Sequence, residues 1–155
     1  LLSGVPASSP SPAAALRFGP DGKLYAAFDE GGDARRSRDA GSLNGKVLRL
    51  NPDGTTPRDA TGATPVYSDG YRSPIALDWD PPTATLWVAD RAAGASRFTF
   101  YRGALFPGWT GRLLSASDKM FGLASAHGIV ATGPDGAIYF GTASAVGRLV
   151  PDRAP

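Results

Sequence analysis

One phrase occurs three times in this chain, and it decides what the chain can fold into. Leu16-Arg17-Phe18-Gly19-Pro20-Asp21-Gly22-Lys23-Leu24-Tyr25 is the first copy. It returns as Leu77-Asp78-Trp79-Asp80-Pro81-Pro82 followed by Leu86-Trp87-Val88. It returns again as Val130-Ala131-Thr132-Gly133-Pro134-Asp135-Gly136-Ala137-Ile138-Tyr139-Phe140. Each copy alternates apolar and polar residues, breaks at a proline-containing turn, and resumes with an aliphatic–aromatic pair, which is the pattern of a β-hairpin. A lone hairpin cannot shelter its apolar face. Hairpin units recurring at roughly 50–60 residues therefore stack, and a stacked array of them is a β-propeller.

The rest of the chain fits around these hairpins. Residues 1–5 read as a short strand, and residues 6–13, with three prolines, as a loop that cannot enter a sheet interior. Residues 29–42 form a long polar loop, and 46–50 (Lys-Val-Leu-Arg-Leu) alternate as a half-buried strand. Residues 65–67, 96–101, 112–117 and 147–150 read as further strands, and 119–126 carry a weak helical pattern. The count supports an all-β fold of propeller type, about three to four blades at four strands each. Residues 1–155 are then a single partial β-propeller domain. An array that does not close leaves two sheet edges, which a partner chain, further blades or self-association would have to cover.

Composition narrows the function classes. The chain has 155 residues, 42% hydrophobic and 19% charged, the balance of a globular domain with a core. Its 20 glycines and 14 prolines punctuate apolar strands and form no tracts, which argues against disorder. The net charge is only +2, and the one dense basic cluster, Arg35, Arg36 and Arg38, is interrupted by Asp29, Glu30, Asp33 and Asp39. A nucleic-acid surface needs one sign on one face, so no nucleic-acid partner is expected. Cysteine is absent, which closes disulfide and thiolate-metal chemistry, and no apolar run reaches the length of a membrane span.

Further phrases follow the first hairpin in a fixed order. They are Gly31-Gly32-Asp33-Ala34, Leu43-Asn44-Gly45-Lys46-Val47-Leu48-Arg49-Leu50-Asn51-Pro52-Asp53-Gly54, Val66-Tyr67-Ser68 and Tyr71-Arg72-Ser73-Pro74. Leu77-Asp78-Trp79-Asp80, Leu86-Trp87-Val88-Ala89-Asp90, Phe100-Tyr101-Arg102-Gly103 and Phe106-Pro107-Gly108-Trp109 complete the series. The series resembles the soluble aldose (glucose/sorbosone) dehydrogenases that use pyrroloquinoline quinone. The resemblance implies a six-bladed type of ring, of which this chain carries little more than half. It also implies a quinone over the ring centre, a calcium ion beside it, a histidine base, a small sugar as substrate, and a periplasmic or secreted location.

Carried over residue by residue, the resemblance assigns quinone contacts to Arg72 and Ser73. A guanidinium fork suits the quinone's carboxylates. The family's catalytic histidine position falls near Ser11, inside Ser9-Pro10-Ser11-Pro12, and a serine hydroxyl does not titrate near neutral pH. The family's acidic loop becomes Asp29-Glu30-Gly31-Gly32-Asp33, which leaves Asp29 and Asp33 as calcium ligands, or as members of a solvated loop. His127, the one histidine, stands just before the third hairpin, away from the catalytic offset. Trp79, Trp87 and Trp109, with Tyr25 and Tyr139, read as packing residues first and a sugar platform second. Three functions follow: a truncated or degenerate quinoprotein sugar dehydrogenase, a non-catalytic propeller segment that binds or supports a larger complex, or a fragment of a longer active enzyme whose further blades supply the base and calcium ligands.

Overall fold

The structure is a computed structural model, and it describes residues 4–117, 128–141 and 144–152. Strands dominate it: β1 (Ala14–Phe18), β2 (Leu24–Phe28), β3 (Lys46–Leu50), β4 (Val66–Asp69), β5 (Pro74–Trp79), β6 (Leu86–Asp90), β7 (Phe98–Phe100), β8 (Leu113–Ser115), β9 (Ile129–Thr132), β10 (Ile138–Gly141) and β11 (Val146–Leu149). They form a four-stranded sheet β1-β2-β3-β4, a three-stranded sheet β11-β10-β9, and two pairs, β5-β6 and β7-β8. Among the described residues every helical piece is a short 3-10 turn; the longest is Ala34–Arg38. The long polar loop foreseen over residues 29–42 therefore contains this turn, capped by Asp33. Gly4 and Val5 are not in a strand, and residues 1–3, the weak helical pattern at 119–126 and His127 lie outside the described residues.

The chain divides into two compact units, Leu1–Leu77 with Val88–Ala95, and Asp78–Trp87 with Ser96–Pro155. In the first unit Ala27, Val47 and Leu48 are fully buried, with Tyr25, Ala26 and Leu50 beside them in the sheet. The second unit is built around Tyr101, Leu114, Ala116, Val130 and Ile138. The Tyr101 hydroxyl is buried there with both a donor and an acceptor partner: it donates to the Gly136 carbonyl (2.7 Å) and accepts from the Phe106 amide (3.0 Å).

The first and third hairpins are constructed alike. Gly19 and Gly133 each donate to a carbonyl four residues on, at 2.9 Å, and Gly22 and Gly136 close the turn with φ of +71° and +77°. The turn aspartate then meets the tyrosine at the second position of the next strand. Asp21 accepts from the Tyr25 hydroxyl (3.3 Å) and Arg49 Nε (2.8 Å). Asp135 accepts from the Tyr139 hydroxyl (2.9 Å) and Arg148 Nη2 (2.7 Å). The ladder explains the match: Tyr25 pairs with Arg49, and Tyr139 with Arg148, so each arginine emerges beside its tyrosine. Burial, then the nearby Asp21 charge, pushes the Tyr25 phenol from 10.0 to about 12.

In the second unit Asp78 is fully buried. Its carboxylate accepts from the amides of Trp79 (2.8 Å) and Phe100 (2.7 Å), the Thr99 hydroxyl (2.8 Å), and Arg102 Nη1 and Nη2 (3.1 and 2.9 Å). Arg102 Nη2 also donates to the Trp79 carbonyl. A buried carboxylate is tolerable only when so fully paired. Trp79 is buried beside it, whereas Trp87 is half exposed and packs edge-on against Phe100.

Two outcomes follow from these contacts. Asp78→Ala orphans two buried amides and a hydroxyl and should cost about 3–5 kcal/mol, read as a lower urea midpoint; Thr99→Val, which removes one partner, should cost about 1 kcal/mol. Tyr25 is protonated more tightly in the folded chain, so its contribution is complete below pH 10.0 and is lost as pH rises toward about 12. Alkaline unfolding should therefore steepen in that window, and Tyr25→Phe should remove that component.

Candidate functional site

Antiparallel register gathers four chain segments at one end of the first sheet. Ala14 pairs with Phe28, Ala27 with Val47, and Lys46 with Asp69, so the loops before β1, after β2, before β3 and after β4 all leave from the same edge. The β5-β6 pair adds its own end, where the Arg91 amide donates to the Ser73 carbonyl (2.9 Å).

Asp29 ties the segment before β1 to both ends of the β2–β3 connection. Only 2% of it is exposed, and its carboxylate accepts from the amides of Ser8 (3.1 Å), Ala13 (2.7 Å) and Gly31 (2.8 Å). Its carbonyl accepts from Asn44 Nδ2 (2.9 Å), which also donates to the Pro6 carbonyl (2.6 Å). Gly45 follows with φ of +67°; a Cβ there would sit 2.4 Å from Ser37 Cβ and 2.6 Å from the Tyr71 carbonyl, so only glycine fits. Lys46 is buried too, and its ammonium donates to the carbonyls of Arg36 (2.8 Å), Ser37 (2.8 Å) and Asn44 (3.2 Å). Burial pushes that ammonium below its ordinary value.

Arg72 and Ser73 follow Tyr71, whose amide donates to the Gly45 carbonyl (3.0 Å). Asp90 fixes their backbone, accepting from the Arg72 amide (2.8 Å), the Ser73 amide (2.9 Å) and the Ala92 amide (2.9 Å). The Arg72 side chain is 62% exposed and turns toward Glu30, with Nε 3.2 Å from Oε2 and Nη2 3.5 Å from Oε1. The Glu30 amide donates back to the Arg72 carbonyl (3.1 Å). Arg91 Nη2 reaches the Ser11 carbonyl (3.1 Å), holding the loop that carries Ser11 to the Arg72 side of the site.

The sequence-derived candidates thus fall into two groups. Arg72, Ser73 and Ser11 come together through Asp90 and Arg91. Asp29 and Asp33 do not converge: Asp29 is committed to backbone amides, and Asp33 binds its own neighbour Arg35 (Nε 3.0 Å, Nη2 2.9 Å), which holds its carboxyl down at about 2. Asp29 is buried and not a member of a solvated loop. Among the described residues no three or more histidine, cysteine, aspartate or glutamate side chains gather as a metal cage. A calcium ion on Asp29 or Asp33 would have to draw most of its six to eight oxygens from elsewhere. Asn44, Lys46, Asp90 and Arg91 are not singled out by sequence reasoning, although Asn44-Gly45-Lys46 and Asp90 lie within the phrases that carry the resemblance.

A sequence model of the Glucose / Sorbosone dehydrogenase family matches residues 5–93, which contain every residue of this site. The chain belongs to that family. A search of curated proteins finds no match. Among solved structures, the chain resembles an oxidoreductase described as a glucose dehydrogenase from Thermus thermophilus (23% identity, TM-score 0.61, 88% of this chain and 61% of that one). It resembles the aldose sugar dehydrogenase of Streptomyces coelicolor in its PQQ-bound form (22%, 0.52, 94% and 51%). It also resembles the apo form of the soluble aldose sugar dehydrogenase of Escherichia coli (17%, 0.60, 81% and 59%). At these identities the likeness is one of fold, and the fold is all-β, of β-propeller type. The chain spans between 51% and 61% of the length of these three structures.

Gly45→Ala should cost about 3 kcal/mol, from a left-handed residue given a Cβ and from its collision with Ser37 and Tyr71. Thermal unfolding checks the cost. Gly32→Ala, also at positive φ but with open space around a Cβ, should cost less.

Proposed function

We propose that this chain forms one flank of a quinone-dependent sugar oxidoreductase, with Arg72 gripping a carboxylate of pyrroloquinoline quinone and Ser73 beside it. The supporting observation is the posture of Arg72. Its main chain is pinned by Asp90, while its guanidinium stands largely in solvent with two N–H groups turned to Glu30. The remaining N–H groups of a fork of five suit a planar carboxylate. When bound, the quinone accepts the two electrons removed from an aldose. Arg72 binds and orients it, Glu30 sets the angle of the guanidinium, and Arg91 fixes the Ser11 loop. Calcium belongs to the same proposal, and no step is assigned to it.

Proton removal is where this chain departs from its family's pattern. The resemblance puts the base's position near Ser11, and a serine hydroxyl cannot take a proton unaided near neutral pH. This favours a degenerate member, and it supports a second reading, in which the segment binds without turnover inside a larger complex. Among the described residues β1 has a strand on one side only, and Leu16 and Phe18 are 63% and 59% exposed there. That edge is consistent with a covering partner, further blades or a second copy. A periplasmic or secreted site of action is part of the reading.

The test separates binding from chemistry. The protein is titrated with the quinone and calcium by absorbance, then assayed for dye reduction with aldoses. Wild type should bind the quinone, and Arg72→Ala should weaken binding more than about tenfold, with Arg72→Lys recovering only part because it lacks the fork. Dye reduction should be slight in wild type and rise in Ser11→His by up to about 10²–10⁴-fold, the usual worth of a placed base. Quinone binding with no gain in Ser11→His supports the non-catalytic reading. No quinone binding at all would sink both cofactor assignments.

A further inference from the structure

The opposite end of the first sheet carries a cleft that the redox reading does not use. Its floor is Arg49, the outer arginine of the first Asp–Tyr–Arg trio, and its walls include Asp59, Thr61, Thr64 and Tyr67. Its volume is about 220 Å³. Register sets it at the far end from Arg72: Phe18 pairs with Leu24, Leu24 with Leu50, and Leu48 with Val66.

Comparison within the molecule shows what makes the cleft. In the third hairpin the described partners of Arg148 are Asp135 and Tyr139, and its guanidinium carbon lies 5.9 Å from the centre of the Tyr139 ring. Arg49 has the matching aspartate, Asp21, but also a second one. Asp59 Oδ1 and Oδ2 accept from Arg49 Nη1 and Nη2, both at 3.0 Å. Asp59 comes from the connection between β3 and β4, residues 51–65. That connection first makes the same turn as the hairpins, Asn51 amide to Thr55 carbonyl at 2.8 Å, and then runs on for ten more residues before β4. It is held in shape by a 3-10 turn, Thr61–Ala63, with Gly62 and Ala63 at φ of +68° and +53°. Ordered loops of this length in compact domains are usually functional.

We propose that this cleft is a binding subsite for a neutral saccharide ring. Two carboxylates share one guanidinium, and the Lys23 ammonium also acts on Asp59, so the charges of the floor balance, which suits an uncharged ligand. Three of the five Arg49 N–H groups are taken, so donors remain beside the spare lone pairs of Asp59, which is 67% exposed, and the hydroxyls of Thr61 and Thr64. Tyr67 supplies an apolar plate: its ring is 51% exposed and is braced edge-on by Tyr25, with centroids 5.2 Å apart. Donors and acceptors interleaved beside an aromatic face match a pyranose, with its alternating hydroxyls and C–H face. An organic cation would use the ring and Asp59 but leave the Arg49 donors without acceptors. The volume is below the roughly 300–1,000 Å³ of clefts for drug-sized ligands, so it takes a single ring or the end of a chain.

The experiment is ligand-observed saturation-transfer NMR on the whole chain with glucose, galactose and xylose, and with tetramethylammonium as a cationic probe. The sugars should show transfer through their ring C–H protons. Tyr67→Ala and Asp59→Ala should each weaken binding about tenfold or more, Tyr67→Phe should retain it, and Arg72→Ala should leave it unchanged. Asp59 is exposed, so its variant keeps the fold, and a melting curve on each variant confirms this. Sugar binding that survives both Tyr67→Ala and Asp59→Ala, or is lost with Arg72→Ala alone, would overturn the assignment. So would transfer to tetramethylammonium with none to the sugars.

Discussion

The first unit depends on one buried carboxylate. Asp29 accepts amides from three points in two loops, and its own carbonyl receives Asn44 from the far end of the second. Backbone amides in loops must find acceptors or stay in water. Here a single side chain satisfies them, which lets loops of proline, glycine and serine pack against a sheet end without regular structure of their own. Lys46 works nearby in the opposite sense, its ammonium donating to three carbonyls, of which those of Arg36 and Ser37 also accept the amides of Asp39 and Gly70. Both side chains are held by main-chain groups, and the Asp69 and Asp39 carboxylates also act on the Lys46 ammonium. The loops that present Arg72, Glu30 and Ser11 rest on them.

The sheet end and the turn end of the same strands are organised by different rules. At the turn end the chain repeats itself, Asp to Tyr to Arg, because turn type and ladder register together leave one place for each side chain. At the loop end each segment is different, and its contacts join residues far apart in sequence; Arg91 reaches Ser11 across 80 positions. Repetition makes a scaffold, and departure from repetition marks where something beyond the scaffold is built. By that criterion two places stand out in the first unit: the loop end that holds Arg72, and the Asp59 extension at the turn end.

This division also explains what could be read from the sequence. The hairpins, the all-β class and the strands at 46–50 and 86–90 follow from local alternation and turn residues, and they stand in the structure within a residue or two. Arg72 and Ser73 are reachable through an ordered series of phrases. The buried structural roles of Asp29, met in the sequence only as a candidate calcium ligand, and of Lys46 are not, since a charged residue in a polar loop or at a strand start reads as solvated. Their burial depends on Ser8, Ala13 and Asn44, or on the carbonyls of Arg36 and Ser37, which local pattern cannot bring near. Asp90 reads as the end of a strand. Its role comes from the backbone of Arg72 and Ser73, 18 and 17 residues before it.

The manner in which Ser11 is held shows what the fold requires at that position. Arg91 binds the carbonyl of Ser11, not its hydroxyl, and Asp29 holds the same loop through the amides of Ser8 and Ala13. None of these contacts reads the identity of residue 11. A base at that position and a serine are therefore nearly equivalent to the fold, and selection on structure alone would not preserve one over the other. Arg72 is different in the same sense: its backbone is pinned by Asp90, but its guanidinium engages the partly buried Glu30 and is otherwise turned to solvent. An exposed arginine with one ionic partner contributes little to stability. Little in the stability of the fold therefore depends on where that guanidinium points.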